Sequence, residues 1–182
     1  GVRGYMRCHA YGNTVTDDLW AAIEAAGGRN IKTIAGDFTL QPGVPMIAID
    51  RAQPKAGQVE IALRQGRFGV DEASRQPLVW HAPVSAASVG EGHPPGKTLV
   101  TGDAPVTLEV EGGLPVKINM GQSAYFRSRY AADAFAGLAD KFAVLPAVDQ
   151  LGLLYDAWAL GEAGLMPLSA YLDLTRQADR KS

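Results

Sequence analysis

Apolar residues along this chain follow a helical period, then an alternating one, then a helical one again. In the first stretch, 1–10 reads as a helix already in mid-course. Thr14 or Thr16 is placed to cap a second helix whose first turn carries Asp17 and Asp18, acids set against the positive end of the helix dipole. Leu19, Trp20 and Ile23 recur at helical spacing until Gly27-Gly28 stops them. A short helix over about 30–36 follows, and Gln41-Pro42-Gly43 reads as a turn. From about 44 the period becomes two. Val59, Ile61 and Leu63 alternate with Glu60, Ala62 and Arg64, Val106, Leu108 and Val110 alternate with Thr107 and Glu109, and Val116 and Ile118 flank Lys117. That alternation predicts strands with one buried face. Gln65-Gly66, Gly90-Glu91-Gly92, Pro94-Pro95-Gly96 and Gly112-Gly113 punctuate them. Parallel strands would need crossover helices, and no helical period intervenes, so an antiparallel sandwich is predicted. After about 128 the helical period returns. Phe135, Leu138 and Phe142 share one face; Val148, Leu151, Tyr155 and Trp158 form the stripe of a second helix ended by Gly161 and Gly164. Pro167, near Ser169, opens a third through Tyr171, Leu172 and Leu174. The fold class is therefore α+β, with helices at 1–43, a sandwich at 44–127 and helices at 128–182.

Composition narrows the function classes without naming one. Lys plus Arg is 17 and Asp plus Glu is 19, for a formal net charge of −2 over 182 residues, the wrong balance for a protein that grips a phosphate backbone. No nucleic-acid partner is expected. No apolar run approaches the roughly 20 residues needed to span a bilayer. One cysteine, Cys8, excludes an internal disulfide framework. Residue 1 is glycine, no charged segment precedes an apolar run, and the opening helix begins in mid-course, so the chain reads as a piece of a longer protein.

Candidate chemistry is sparse. His9, His81 and His93 include no pair three or four residues apart, so no helical face offers two imidazoles to a metal. Cys8 and His9 are neighbours on a helix, which points them about 100° apart and breaks any nucleophile–base pairing. Gly90-Glu91-Gly92-His93-Pro94-Pro95-Gly96-Lys97 lacks the spacing of a phosphate-binding loop, and its prolines remove backbone donors. Asp17-Asp18 serve a helix start, Asp71-Glu72 a turn, and Asp133 and Asp140 lie about 10 Å apart along a solvated helix face. The least ordinary segment is Tyr125-Phe126-Arg127-Ser128-Arg129-Tyr130 at the strand-to-helix boundary. There, Tyr125, Arg127 and Arg129 share a side. The segment is expected to clamp a domain junction, with arginine forks satisfying carbonyls.

In order along the chain, several short motifs resemble those of aminopeptidase N-type zinc metallopeptidases of the puromycin-sensitive kind. His9-Ala10-Tyr11-Gly12-Asn13-Thr14, then Asp18-Leu19-Trp20, looks like the end of that family's thermolysin-like catalytic domain. Phe38-Thr39-Leu40-Gln41-Pro42-Gly43-Val44-Pro45 is similar to its Trp-Thr-x-Gln-x-Gly-x-Pro segment, with Phe38 in place of tryptophan. The 125–130 run resembles the element leaving the family's sandwich. Asp149-Gln150-Leu151-Gly152-Leu153-Leu154-Tyr155-Asp156 resembles the helix opening its C-terminal helical domain, with Gln150 where arginine is usual.

The resemblance implies a parent that removes residues from the amino terminus of peptides with a zinc-bound water. It also implies that this piece carries none of the machinery. The family's His-Glu-x-x-His helix and Gly-x-Met-Glu-Asn strand are absent from the sequence, so no residue inherits a catalytic, metal-binding or cofactor-binding role. Zinc belongs to the parent. The implied partners are the catalytic domain of the same parent chain and, for the parent, peptide substrates. The parent is expected to be bacterial, in cytoplasm or periplasm, and the isolated piece is expected to dimerise through apolar surface. Two rival readings remain at this point: a free-standing sandwich module that binds carbohydrate or protein through an exposed aromatic row, and a small hydrolase using Cys8 and His9.

Overall fold

The computed structural model describes residues 1–28, 30–102 and 104–179. The chain divides into two compact units, Gly1–Pro42 and Gly43–Ser182. The first holds α1 (Val2–Cys8), α2 (Thr16–Ala25) and α3 (Ile31–Leu40). Neither threonine caps α2. Thr14 Oγ1 is engaged by the Tyr5 hydroxyl at 2.7 Å, and Thr16 is already inside the helix. The cap comes from Asp18, whose Oδ2 accepts the Val15 N–H at 3.0 Å. Glu24 does the same for α3, accepting the Lys32 N–H at 3.1 Å. That helix runs four residues beyond the predicted Gly36, to Leu40. Thr39 Oγ1 bonds back to the Ala35 carbonyl at 2.6 Å, and the helix stops only where Gln41, held extended before Pro42, cannot continue it. Among the described residues of this unit, no side chain is buried.

The second unit begins with β1 (Val44–Lys55) and β2 (Gln58–Phe68), an antiparallel hairpin turning at Gly57 with φ of 73°. Strands β3 (Ala82–Ser88), β4 (Gly96–Val100), β5 (Val106–Glu111), β6 (Val116–Ile118) and β7 (Arg127–Arg129) follow. One sheet has the order β5-β2-β1-β7, the other β4-β3-β6. Alternation is obeyed where it was clearest: Val59, Ile61 and Leu63 are all fully buried. Gln65-Gly66 is not a turn. The strand runs on to Phe68, because the Gln65 amide bonds the Trp80 N–H at 2.7 Å, the Trp80 carbonyl at 2.8 Å and the Val100 carbonyl at 3.1 Å. One buried amide thereby pins three segments.

The pairing is not wholly antiparallel. β7 lies parallel to β1, with Met46, Ile47 and Ala48 opposite Arg127, Ser128 and Arg129. The crossover such a pairing demands is supplied by the intervening strands rather than by a helix. After β7 come α4 (Ala132–Asp140), α5 (Ala147–Glu162) and α6 (Leu168–Asp179). Phe135, Leu138, Phe142, Leu153 and Leu174 join the same apolar core as Ile47, Ile61 and Ile118, so strands and helices share one interior. α5 is turned over relative to the sequence expectation. Val148, Leu151, Tyr155 and Trp158 face outward, while Asp149, Gly152, Leu153, Asp156, Ala157 and Leu160 are buried.

Candidate functional site

The inward acids of α5 meet two cations from the sheets, and this polar junction is the most elaborate site in the chain. β6 is short and flanked by Val116 and Ile118, both buried, which leaves Lys117 on the opposite face of the strand. In a half-exposed sheet that face would be wet. Here it is covered, and Lys117 is 1% exposed. Its Nζ donates to Asp149 Oδ1 at 2.9 Å, to the Ile118 carbonyl at 3.1 Å and to the Asn119 carbonyl at 3.4 Å, so all three donors of the ammonium are used. Asp149 Oδ1 also accepts the Gly121 N–H at 2.9 Å. Asp149 sits in the first turn of α5, where the helix dipole favours a negative charge.

The segment between β6 and β7 is shaped to allow this. Asn119, in the left-handed region at φ of 57°, closes it with a two-way bond: its Nδ2 donates to the Ala124 carbonyl at 2.9 Å and its Oδ1 accepts the Ala124 N–H at 3.0 Å. Gln122 lies against α5 at Gly152, where a Cβ would come within 1.9 Å of the Gln122 amide nitrogen. Any larger residue at 152 would have to displace the end of the Gln122 side chain.

Seven residues along the same helix face, Asp156 repeats the arrangement with β7. Its Oδ2 accepts the Ser128 N–H at 3.0 Å, and its Oδ1 pairs with Arg127 Nη1 at 3.3 Å. The Arg127 guanidinium also lies over the Phe68 ring, 5.6 Å from its centroid. Burial pushes the Asp156 carboxyl above its ordinary range, against the Ser128 N–H and Arg127, which both favour its charged form. Tyr130, also buried, accepts the Ile118 N–H on its hydroxyl at 3.1 Å, and burial raises its hydroxyl as well. The 125–130 segment thus ties β7 and β6 to α5 within one compact unit. Its Arg127 fork, however, reaches a carboxylate rather than carbonyls, and it is the backbone and Tyr130 that make the remaining ties.

Chemically the junction holds elements together. Breaking one side of such a buried pair typically costs about 3–5 kcal/mol, because the abandoned charge cannot reach water. The lysine ammonium has an acceptor for each of its three donors, and Asp149 Oδ1 takes one donor from Lys117 and one from the Gly121 backbone.

The other residues weighed from sequence are not part of this junction. Cys8 ends α1 and is exposed; the His9 ring packs on Tyr5 with centroids 5.1 Å apart. His81 precedes β3. His93 stands in the β3–β4 loop, 3.5 Å from both Glu91 and Glu111. Asp71 accepts the Ser74 N–H at 2.7 Å in a turn, and Asp133 and Asp140 are exposed. Among the described residues no three of His, Cys, Asp and Glu come together to hold a metal ion. A groove of about 380 Å³ beside β1 and α4 is walled by Ile49, Pro115, Ala131 and Ala134. Of the charged groups there, Asp50 pairs with Arg64 at 2.6 Å and Arg51 with Glu60 at 3.6 Å, while Asp133 accepts the neighbouring Ala134 N–H at 2.8 Å. Sequence reasoning missed Lys117. The available signal was a lysine caught between two core residues of one strand, together with two acids seven apart on an otherwise apolar helix.

Comparison with known proteins covers the whole chain. Residues 115–182 match the ERAP1-like C-terminal domain family. Aminopeptidase M1 of Arabidopsis thaliana is 30% identical over 189 residues, covering 95% of this chain and 21% of that protein. Aminopeptidase N of Lactobacillus helveticus is 28% identical over 188 residues, covering 100% of this chain and 21% of its own length. The puromycin-sensitive aminopeptidase of Caenorhabditis elegans is 24% identical over 190 residues, again all of this chain and 20% of the relative. The chain therefore spans about a fifth of the length of the curated relatives it matches.

Proposed function

We propose, from a chain of the aminopeptidase N type, that these residues brace a zinc-dependent aminopeptidase and take no part in its chemistry. The observation that carries the reading is the Lys117–Asp149 pair: a buried cation and anion, further bonded by neighbouring backbone groups, fastening the second sheet to α5. A site built this way suits the fixing of geometry, which supports the reading. Among the described residues no three of His, Cys, Asp and Glu come together to hold a metal ion, which supports the reading that the zinc and the catalytic groups of a bacterial parent, in cytoplasm or periplasm, are held by residues outside these 182. The binding-module reading asks for an exposed aromatic row on the strands. Phe68 is the one aromatic within them, and it lies under Arg127.

Incubating the purified chain with aminoacyl-coumarin amides, with zinc measured by plasma emission on the same sample, tests the proposal. The expected result is no fluorophore release above buffer and zinc well below one ion per chain. Release that a chelator abolishes and zinc restores would overturn it.

A further inference from the structure

The connection from β2 to β3, residues 69–81, is the longest between the strands described above. Its far end is pinned where the Trp80 backbone meets the Gln65 amide. Its near half is held by a small network of its own. Asp71 Oδ1 accepts the Ser74 N–H at 2.7 Å, the Ser74 hydroxyl donates to the Asp71 carbonyl at 2.9 Å, and a short helical turn follows at Ala73–Arg75. From that turn one side chain reaches the helices. Arg75 donates from Nε to the Gly69 carbonyl at 2.9 Å, and from Nη2 to the Val70 carbonyl at 3.2 Å and to the Ala163 carbonyl. Ala163 is buried and closes α5, where the last carbonyls have no donor within the helix. The last turn of α5 carries no basic residue of its own, so the negative end of its dipole is met by a guanidinium from 88 positions earlier. Just beyond, the chain reverses. Gly164 takes a φ of 67°, its N–H reaches the Gly161 carbonyl at 3.0 Å, and the Leu165 N–H reaches the Leu160 carbonyl at 2.8 Å.

We infer that the loop at 69–75 and the turn at 160–165 form one conformational latch, which opens and closes through Arg75. The guanidinium is planar, so its N–H groups keep fixed directions relative to one another, and one fork spans carbonyls of both segments. Moving the loop away strips Ala163 of this donor, and a carbonyl in so buried a residue is costly to leave unpaired. Moving the helix end away leaves Arg75 with the Gly69 and Val70 carbonyls, both within its own loop. Coupling of this kind is reciprocal: whatever loosens one segment loosens the other. Segments with few buried contacts open locally before the core does. Val70, Asp71, Glu72 and Ala73 are all exposed, so the loop is the half that opens first. The inference goes beyond the bracing role proposed above and does not rest on it.

Residue-resolved amide exchange, read by NMR on the 182-residue chain, tests it. Arg75→Gln removes the fork, and exchange is expected to speed up about tenfold or more at the Ser74 N–H and at the Gly164 and Leu165 N–H groups together. Arg75→Lys, which keeps the charge without the fork, should give the same pattern in smaller measure. The Ile118 and Ser128 N–H groups, bonded to Tyr130 and Asp156, should keep the rates of the unaltered chain. Gly164→Ala places a Cβ on a positive φ and so loosens the turn without touching the loop. It should speed exchange at Ser74 as well, and that effect should vanish once Arg75→Gln is present. Arg75→Gln that frees the Ser74 N–H while Gly164 and Leu165 stay protected would refute the latch. So would a response of Ser74 to Gly164→Ala that survives the loss of Arg75, and so would an equal rise at Ile118 and Ser128, which marks a loss of global stability instead.

Discussion

Gly1–Pro42 and Gly43–Ser182 are written in similar residue patterns and end in different physical states. In the first, Leu19, Trp20 and Ile23 mark an amphipathic helix, and α2 and α3 have a side-chain carboxylate bonded to a backbone N–H at their start; yet every described residue keeps some exposure. In the second, comparable patterns in α4 and β2 end at Leu138 and Ile61 with no exposure at all. The difference lies in layers. Two sheets and three helices surround a shared set of core side chains, whereas three helices of seven to ten residues leave each of theirs partly exposed. Helices of that length are marginal alone in water, where about 12–15 residues are needed. Periodicity and caps define an element; only a second layer makes it stable.

The sharpest way to break this comparison is to remove a cation from each unit. Lys117→Met should cost about 3–5 kcal/mol in urea unfolding, since it strands Asp149 in the interior. Adding Asp149→Leu should recover part of that loss. The corresponding change at the exposed Lys32–Asp17 pair, Lys32→Met, should stay within about 0.5 kcal/mol. A similar cost at both lysines would show that burial does not separate the units. Next in size is the core: Leu138→Ala should lose about 3 kcal/mol, and Ile23→Ala in α2 about 1 kcal/mol, both read by chemical denaturation.

The smallest effect is one of pH. Because burial raises the folded-state value of Asp156, the folded protein disfavours its charged form. The group's contribution is therefore fully present below the unfolded carboxylate value, near 3.9, and is lost as pH rises through the folded value. Asp156→Asn should flatten that part of the stability profile, so that wild type gains on the variant as the solution is acidified. A gap that instead widens with rising pH would contradict the sign.

How much of this was legible in the residues depended on whether a pattern had one solution. Val59, Ile61 and Leu63 alternate with polar or small neighbours, so only one face could be inside, and it was. α5 had two solutions. Val148, Leu151, Tyr155 and Trp158 compose one apolar stripe, while Leu153, Ala157 and Leu160 compose another beside Asp149 and Asp156. A helical wheel prefers the stripe without acids inside. The fold chose the other, because Lys117 and the β7 backbone supply partners no local pattern announces. The parallel seat of β7 was hidden for the same reason: its partner, β1, lies some eighty positions earlier in the chain. The threonine caps failed more simply, since Asp18 reached the Val15 N–H and Tyr5 claimed Thr14. The 125–130 segment was visible as a cluster, though not the carboxylate it holds.

The seven-residue gap between Asp149 and Asp156 has a further consequence. Both acids are pins in fixed sockets, one in β6 and the loop after it, the other in β7. A single codon gained or lost between them would leave the helix intact but rotate one pin about 100° away from its socket. Length variation that a surface helix absorbs freely is therefore closed to this stretch, and substitutions are the only changes open to it.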